Sequence, residues 1–235
     1  MSGDPTLSFA GRPSGGRSAR SFTIRRGRRG PQKEHALAVL VPRFSILIGP
    51  TLVDLSVEFG RSAPVIVDVG FGSGHTTLAL AEHFPERNVI GIETHENGLA
   101  TLAHEVDGRG LTNVRLIAGD AFDVLAHMIA PSSVSVVQLV CPDPWPKSAQ
   151  AHRRLFSPAF AELVAGRLIP GGELRLATDW EPYAAHMLAV ASATATLRNA
   201  FDGFSPRDIS RPVTAYELKG VAAGRSVIDL LFTRV

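Results

Sequence analysis

Short β-branched runs alternate with helical segments from Pro64 onward, and this alternation constrains the fold more than any other feature of the sequence. The predicted strands are 65–69, 88–92, 113–118, 134–140 and 173–177. The predicted helices are 74–84, 95–108, 121–130, 152–168 and 180–195. Strands that alternate with helices favour a parallel, doubly wound α/β sheet with right-handed crossovers.

The last part of the chain breaks this alternation. Residues 213–219 and 225–234 flank a turn at 221–224, a pattern that predicts a β-hairpin. A parallel sheet that ends in an antiparallel pair resembles the layout of class I methyltransferases, whereas a dinucleotide-binding Rossmann domain normally continues in parallel. We therefore predict a Rossmann-like, doubly wound, mostly parallel seven-stranded sheet with a terminal antiparallel hairpin.

Positive charge is concentrated at the N-terminus. Residues 1–33 hold eight of the 24 Lys and Arg residues and one of the 22 acids, which leaves a formal charge of −5 on residues 34–235. Glycine and proline are also frequent there, so residues 1–30 are predicted to be a disordered basic tail that binds RNA through its phosphates. The alternative is a solvated tail that only aids solubility. Residues 31–235 are predicted to form the catalytic domain, entered through a helical segment interrupted at Pro42 and Pro50.

Cys141 is the only cysteine, so the chain cannot form an internal disulfide. The histidines show no metal-ligand spacing, and we expect no metal cofactor. The sequence has no apolar signal segment and no stretch of transmembrane length, so we expect a cytoplasmic protein that does not enter the membrane. An organelle transit peptide is the less favoured interpretation of the Arg-rich N-terminus, because its glycines and prolines break an amphipathic helix.

A glycine-rich turn follows the first predicted strand, in the stretch Val67-Asp68-Val69-Gly70-Phe71-Gly72-Ser73-Gly74. Open α/β sheets bind ligands where a strand turns into a helix, and glycine lets the backbone approach a ligand closely. The dinucleotide fingerprint requires a sixth-position glycine, but His75 stands there. The spacing resembles motif I of the class I methyltransferases, in which an acid such as Asp68 suits the ammonium group of S-adenosyl-L-methionine. A glycine turn without a ligand is the alternative.

Acids follow the next strands. Glu93 ends the second strand and is placed to accept hydrogen bonds from both ribose hydroxyls. Asp120 follows the third strand and is placed to accept a hydrogen bond from the adenine amino group. An acid at a strand end is commonly only solvated, but together with Asp68 and the glycine turn these residues indicate one cofactor crevice.

The fourth strand leads into Cys141-Pro142-Asp143-Pro144-Trp145-Pro146-Lys147, named here the PDPWPK loop for its residues 142–147. Proline fixes φ and extends the preceding residue, so the loop is expected to be stiff. A stiff loop suits methyl transfer, because in-line displacement requires the acceptor at a fixed angle. A structural loop around a core tryptophan is the alternative.

At this point the chain resembles the bacterial tRNA (guanine-N7)-methyltransferase family. The matching segments are Val-Asp-Val-Gly-Phe-Gly-Ser-Gly (67–74), Gly-Ile-Glu-Thr-His (91–95), Pro-Asp-Pro-Trp-Pro-Lys (142–147), Ala-Thr-Asp-Trp-Glu-Pro-Tyr-Ala (177–184) and Arg-Pro-Val-Thr-Ala-Tyr-Glu (211–217). The first two mark the superfamily, and the last three are more particular to this family. The resemblance implies methyl transfer from S-adenosyl-L-methionine to N7 of a tRNA guanine in the variable loop, with S-adenosyl-L-homocysteine as product.

The resemblance also implies residue roles. Asp68, Gly70, Gly72, Gly74, Glu93, Asp120 and Asp143 would contact the cofactor, and Asp143 would also be the catalytic carboxylate. Lys147, Asp179, Thr214, Ala215, Tyr216 and Glu217 would contact the RNA. From their charge, Lys147 and Arg153 or Arg154 are expected to hold RNA phosphates. The run 148–151 lacks the basic residues usual in the family.

Three other functions are weighed against this one. They are a class I methyltransferase that acts on another RNA base or a small molecule, an NAD-dependent oxidoreductase, and an RNA-binding module without catalysis. The PDPWPK loop argues against a methyltransferase with another substrate. His75 argues against an NAD-dependent oxidoreductase, and Asp143 argues against an RNA-binding module without catalysis. The sequence leaves open whether the protein is a monomer or a homodimer.

Overall fold

The computed structural model describes residues 30–209, 211–213, 217, 222, 224 and 226–235. Residues 1–29 of the predicted basic tail lie outside the described residues, as do three predicted RNA contacts, Thr214, Ala215 and Tyr216, and all of these stay predictions.

The elements follow in this order. The helices are α1 (Pro31–His35), a π-helical turn (Ala36–Leu40), α2 (Val41–Phe44), α3 (Leu55–Phe59), α4 (His75–His83), α5 (Glu96–Gly108), α6 (Ala121–His127), a 3₁₀ helix (Ser148–Arg153), α7 (Pro158–Arg167) and α8 (Glu181–Ala193). The strands are β1 (Val65–Val69), β2 (Asn88–Glu93), β3 (Val114–Ala118), β4 (Val134–Val140), β5 (Leu168–Thr178), β6 (Leu197–Asn199) and β7 (Ile228–Arg234).

The strands form one seven-stranded sheet in the order β3-β2-β1-β4-β5-β7-β6. Strands β1 to β5 are parallel, and β7 is antiparallel to both of its neighbours. The predicted fold class is confirmed, including the antiparallel pair at the end of the sheet.

The antiparallel pair differs from the prediction in its first strand. Among the described residues, the outer partner of β7 is the short strand β6, where the sequence predicted residues 213–219. Val213 and Glu217 are not in a strand, and most of the remaining segment lies outside the described residues. Three residues such as Leu197–Asn199 carry too little alternation to be recognised as a strand in a sequence.

The helix predicted at 152–168 begins only at Pro158. Ser157 caps it by accepting a hydrogen bond from the Phe160 N–H at 3.3 Å, and the proline occupies the first turn, where a missing N–H costs nothing. Residues 148–153 form a separate 3₁₀ helix. The PDPWPK loop is therefore followed by the 3₁₀ helix and does not lead directly into α7.

Pro42 does not end the N-terminal helical segment as predicted. The run continues to Phe44, because a π-helical turn precedes the proline and the Val41 N–H donates to the Ala36 carbonyl, five residues back. The wider turn accommodates the proline ring, which would clash in a regular α-helix. The segment packs on α5 and β3.

Two apolar cores cover the two faces of the sheet. In β1, Val65, Val67 and Val69 face the core formed with α6, α7 and α8, while Ile66 faces the core formed with α4 and α5. Each fully buried aliphatic side chain contributes about 1.5–3 kcal/mol to stability. The alternation also determines that Asp68, two residues after Ile66, points towards α4.

Candidate active site

The predicted site residues come together at the carboxyl edge of the parallel strands. Strands β1, β2, β3, β4 and β5 run in the same direction, so the residues at and after their ends share one edge of the sheet. These residues are Asp68, Glu93, Asp120, Asp143 and Asp179. Ligands of open α/β sheets bind in the crevice outside this edge.

The glycine turn between β1 and α4 has a left-handed backbone, with φ of +67° at Gly70, +59° at Gly72 and +83° at Gly74. L-amino acids with side chains rarely adopt these angles. A Cβ atom at Gly70 or Gly72 would meet no atom within 4 Å, so both glycines border open space. A Cβ at Gly74 would lie 2.9 Å from Leu102, so this glycine allows α5 to pack closely. The turn therefore forms a cradle that fits a ligand.

Glu93 fastens the glycine turn to β2. Its Oε2 atom accepts a hydrogen bond from the Gly72 N–H at 2.9 Å. Its Oε1 atom accepts from the Thr94 N–H at 2.6 Å and from the His95 N–H at 3.0 Å. The carboxylate is 7% exposed, so it shapes the crevice as well as facing it.

Gly98 in the first turn of α5 presses against the same turn. A Cβ at this position would lie 2.2 Å from the Gly72 carbonyl oxygen and 3.3 Å from the Glu93 Cγ. The sequence analysis missed Gly98, because a contact between the second helix and the glycine turn has no signature in the chain.

Asp68 is completely buried. Its Oδ2 atom accepts hydrogen bonds from Thr76 Oγ1 at 2.9 Å and from Thr77 Oγ1 at 2.6 Å, which ties β1 to α4. Among the described residues its Oδ1 atom has no hydrogen-bond partner. Burial raises the pKa of Asp68, although the side chains of Thr77, Gln138 and Thr76 act to lower it. In this conformation Asp68 stabilises the crevice by holding α4 against β1. Direct contact of Asp68 with a ligand stays a prediction.

Asp120 caps helix α6, with its Oδ1 atom accepting from the Phe122 N–H at 2.8 Å. A Cβ at the preceding Gly119 would lie 2.6 Å from the Cδ1 atom of Ile48. Ile48 arrives there because its segment runs beside β3, where the Ile46 N–H donates to the Leu116 carbonyl at 2.8 Å. Ile48 is thus an apolar neighbour of Asp120 that the sequence analysis did not identify.

The backbone is strained at Cys141, directly before the PDPWPK loop, and at Trp145 within it. Cys141 has φ of +47° and Trp145 has φ of +43°, although neither is glycine. The Cys141 N–H donates to the Ala177 carbonyl at 2.7 Å and anchors the loop to β5. Asp143 and Lys147 are exposed. Burial, and then the charge of Asp179, raise the pKa of Cys141 to about 12, so its thiol is neutral and unsuited to act as a nucleophile.

Two consecutive arginines contact this loop. The guanidinium of Arg153 lies 3.7 Å from the centre of the Trp145 ring. Arg154 donates from Nε to the Pro144 carbonyl at 3.0 Å and from its terminal nitrogen to the Trp145 carbonyl at 3.4 Å.

Glu217 belongs to a buried ion-pair cluster. It pairs with Arg211 at 2.7 Å and with Arg207 at 3.2 Å, while Arg211 also pairs with Asp229 on β7 at 3.1 Å. Burial raises the pKa of Glu217, but the hydrogen bonds and charges of both arginines outweigh this effect and lower the pKa. Glu217 therefore holds Arg207 and Arg211 in place, and its predicted contact with the RNA stays a prediction.

In the part of the chain that the structure describes, no group of three or more His, Cys, Asp or Glu side chains could hold a metal ion. Within the same ranges no helix has the length and apolar character needed to cross a membrane.

The sheet order, the glycine cradle and the acids at the carboxyl edge define a class I methyltransferase, for which S-adenosyl-L-methionine is the cofactor. Solved structures share this fold. The 16S rRNA methyltransferase KamB has a TM-score of 0.57 and 17% identity, with 78% of this chain and 94% of that chain covered. The aminoglycoside resistance methyltransferase NpmB1 has a TM-score of 0.56 and 19% identity, with 79% and 95% covered.

The sequence comparisons are more specific. A family model described as "Putative methyltransferase" matches residues 62–230. The tRNA (guanine-N(7)-)-methyltransferase of Burkholderia vietnamiensis is 44% identical, with 93% of this chain and 86% of the relative covered. The enzyme of the same name from Hydrogenovibrio crunogenus is 41% identical, with 95% and 94% covered. The chain belongs to the tRNA (guanine-N7)-methyltransferase family.

Proposed function

We propose that this protein transfers the methyl group of S-adenosyl-L-methionine to N7 of a guanine in the variable loop of tRNA, and releases S-adenosyl-L-homocysteine. The observation that carries this proposal is the position of the PDPWPK loop. The loop leaves β4 beside the glycine cradle, in a chain that is 44% identical to a tRNA (guanine-N(7)-)-methyltransferase over nearly its whole length.

The residues of the cradle fit the cofactor. Gly70 and Gly72 leave open space where a side chain would otherwise project. Glu93 Oε2 receives one hydrogen bond, from Gly72, and keeps the capacity to accept another from a ribose hydroxyl. Asp120 uses Oδ1 to cap α6, which leaves Oδ2 for the adenine amino group. When bound, the cofactor supplies an electrophilic methyl group on a sulfonium.

Asp143 is the residue we assign to catalysis. Guanine N7 already carries a lone pair, so no proton must leave before it attacks and no strong general base is required. Positive charge passes to the purine as the methyl group arrives. The exposed carboxylate of Asp143, near the start of the stiff PDPWPK loop, can orient the guanine through its ring-edge donors and stabilise that charge, which is electrostatic preorganisation.

The remaining predicted residues would hold the RNA. Lys147 is exposed at the end of the same loop and can contact a phosphate, which positions the RNA without reading its sequence. Asp179 follows β5 on the same edge, and the segment Thr214 to Glu217 would complete the RNA surface. The basic residues 1–30 would add phosphate contacts. We place the enzyme in the cytoplasm together with its tRNA substrate.

The test uses tRNA that lacks N7-methylguanosine and a cofactor with a labelled methyl group. We expect label on N7 of one variable-loop guanine, located by chemical cleavage of the RNA at N7-methylguanosine. Label on another base would leave the methyltransferase class intact and overturn the proposed substrate atom. A small-molecule acceptor would be indicated by absence of label on any RNA while S-adenosyl-L-homocysteine accumulates with cell extract.

A further inference from the structure

We propose that Arg154 is a positioning residue that holds the PDPWPK loop in its working conformation, and that it acts on methyl transfer through Asp143 and not through an RNA phosphate. This inference rests on the proposed function, because it assigns Arg154 a part in the same reaction. It replaces the sequence-based expectation that Arg154 serves as a phosphate contact.

The hydrogen bonds of Arg154 are directed at the loop backbone. Its Nε atom and one terminal nitrogen donate to consecutive carbonyls, those of Pro144 and Trp145. These carbonyls directly follow Asp143 in the chain. The prolines of the Pro-Asp-Pro segment restrict φ but cannot donate backbone hydrogen bonds, so donors from outside the loop are needed to hold its carbonyls in place.

Backbone strain makes such support necessary. Trp145 has φ of +43°, an angle that is unfavourable for a bulky residue and costs about 1–3 kcal/mol. Strain of this kind persists only when surrounding contacts hold it. Arg154 bonds the carbonyl of the strained residue itself and also that of the residue before it, while the Arg153 guanidinium covers the Trp145 ring.

Arg154 also joins the two acid-bearing loops of the site. Its guanidinium carbon lies 5.1 Å from the centre of the Trp180 ring and 5.4 Å from that of the Tyr183 ring. Trp180 directly follows Asp179, and Tyr183 is fully buried with its hydroxyl accepting the Phe156 N–H at 3.2 Å. One guanidinium thus fixes the distance between the segment of Asp143 and the segment of Asp179.

The same contacts disfavour a phosphate role. A phosphate is recognised best by two parallel N–H groups of the guanidinium, and the two carbonyls occupy the edge formed by Nε and one terminal nitrogen, so only the edge of the two terminal nitrogens is left for such a contact. Lysine cannot replace this arrangement, since an ammonium lacks both the fork of donors and the flat surface that stacks on aromatic rings.

The experiment compares Arg154→Lys and Arg154→Ala with wild type. Arg167→Lys is the matched control, because Arg167 also binds two consecutive carbonyls, those of Leu125 and Ala126, at the opposite end of α7 from the site. The measurements are the single-turnover rate at saturating cofactor and tRNA, the salt dependence of tRNA binding, and tryptophan fluorescence. Fluorescence reports on the loop directly, because Trp145 and Trp180 are the only two tryptophans.

We expect both Arg154 variants to lose on the order of 10²-fold in single-turnover rate, the scale of a small misplacement of reacting groups. We expect their fluorescence to shift, their salt slope to stay unchanged, and Arg167→Lys to keep the wild-type rate. A wild-type rate in Arg154→Lys, or a salt slope that falls by about one in Arg154→Ala at an unchanged rate, would overturn the inference in favour of a phosphate contact. Failure of wild type to methylate guanine N7 would instead refute the proposed function, and the fluorescence of Arg154→Lys would still decide whether Arg154 holds the loop.

Discussion

Glu93 and Gly72 are joined by a hydrogen bond of 2.9 Å from the glycine N–H to the carboxylate Oε2. This bond links the end of β2 to the glycine turn after β1, so the residue expected to bind the ribose also determines the shape of the cradle. The crevice is therefore one preorganised unit, and substitutions that move the turn should weaken cofactor binding.

Gly98→Ala should weaken cofactor binding by at least 10-fold. The new Cβ would approach the Gly72 carbonyl to 2.2 Å, and the turn or α5 would have to move. Calorimetry with S-adenosyl-L-homocysteine measures the effect. Gly108→Ala, at the exposed end of the same helix with no atom within 4 Å of its Cβ, is the control and should bind normally. Equal affinities of the two variants would show that the close contact does not shape the cradle.

Asp68→Asn should raise the free energy of unfolding at neutral pH while weakening cofactor binding. Burial raises the pKa of Asp68, so its charged form is a cost to the folded state above that pKa. As the pH falls through the raised pKa towards the ordinary range of Asp, the wild-type protein takes up a proton and recovers this stability. The advantage of the variant in urea denaturation should therefore shrink in acid. A variant less stable than wild type at neutral pH would contradict this account of Asp68.

Glu217→Gln should have the opposite pH dependence. The pKa of Glu217 is lowered, so its ionised form stabilises the folded state above the ordinary pKa of Glu, and this stability is lost as pH falls through the lowered value. We expect the free energy of unfolding to fall by about 3 kcal/mol at neutral pH. This is the lower end of the range for a broken buried ion pair, because Arg211 still pairs with Asp229. Glu105→Gln, in an exposed pair with Arg109, should lose less than about 1 kcal/mol. Similar losses in both variants, measured by urea denaturation, would argue against a structural role for the buried cluster.

Deletion of residues 1–30 should weaken tRNA binding and flatten its dependence on salt. These residues hold seven arginines, each of which can release counterions from a phosphate. Cofactor affinity should not change, since the crevice residues, from Ile48 onward, all follow the deleted segment. Filter binding over a range of salt concentrations is the measurement. If the salt dependence of tRNA binding is unaltered by the deletion, the tail does not bind RNA and serves solubility alone.

The sequence predicted the parts of this molecule that depend on local pattern. Strands 65–69 and 134–140 coincide with β1 and β4, because buried parallel strands are short β-branched runs with clear ends. The position of the acids at one edge of the sheet was also predictable, because a parallel topology brings the carboxyl ends of successive strands together. The contacts of Gly98, Ile48 and Arg154 could not be predicted, since each joins segments that are separate in the chain and depends on packing distances. The π-helical turn before Pro42 and the short strand β6 were missed because tertiary contacts override weak local signals.

The rate of methyl transfer by Asp143→Asn tests the central claim most directly. The variant keeps the shape of the side chain and removes its charge, and Asp202→Asn, at an exposed residue three positions after the edge strand β6, is the control. In single-turnover reactions with saturating cofactor and tRNA, we expect Asp143→Asn to be slower by roughly 10²-fold or more, the effect of one lost electrostatic group. The fold and S-adenosyl-L-homocysteine binding should be measured in parallel, so that a slower rate can be separated from lost cofactor. A rate within twofold of wild type for Asp143→Asn would contradict the assignment of Asp143 and of the PDPWPK loop to catalysis.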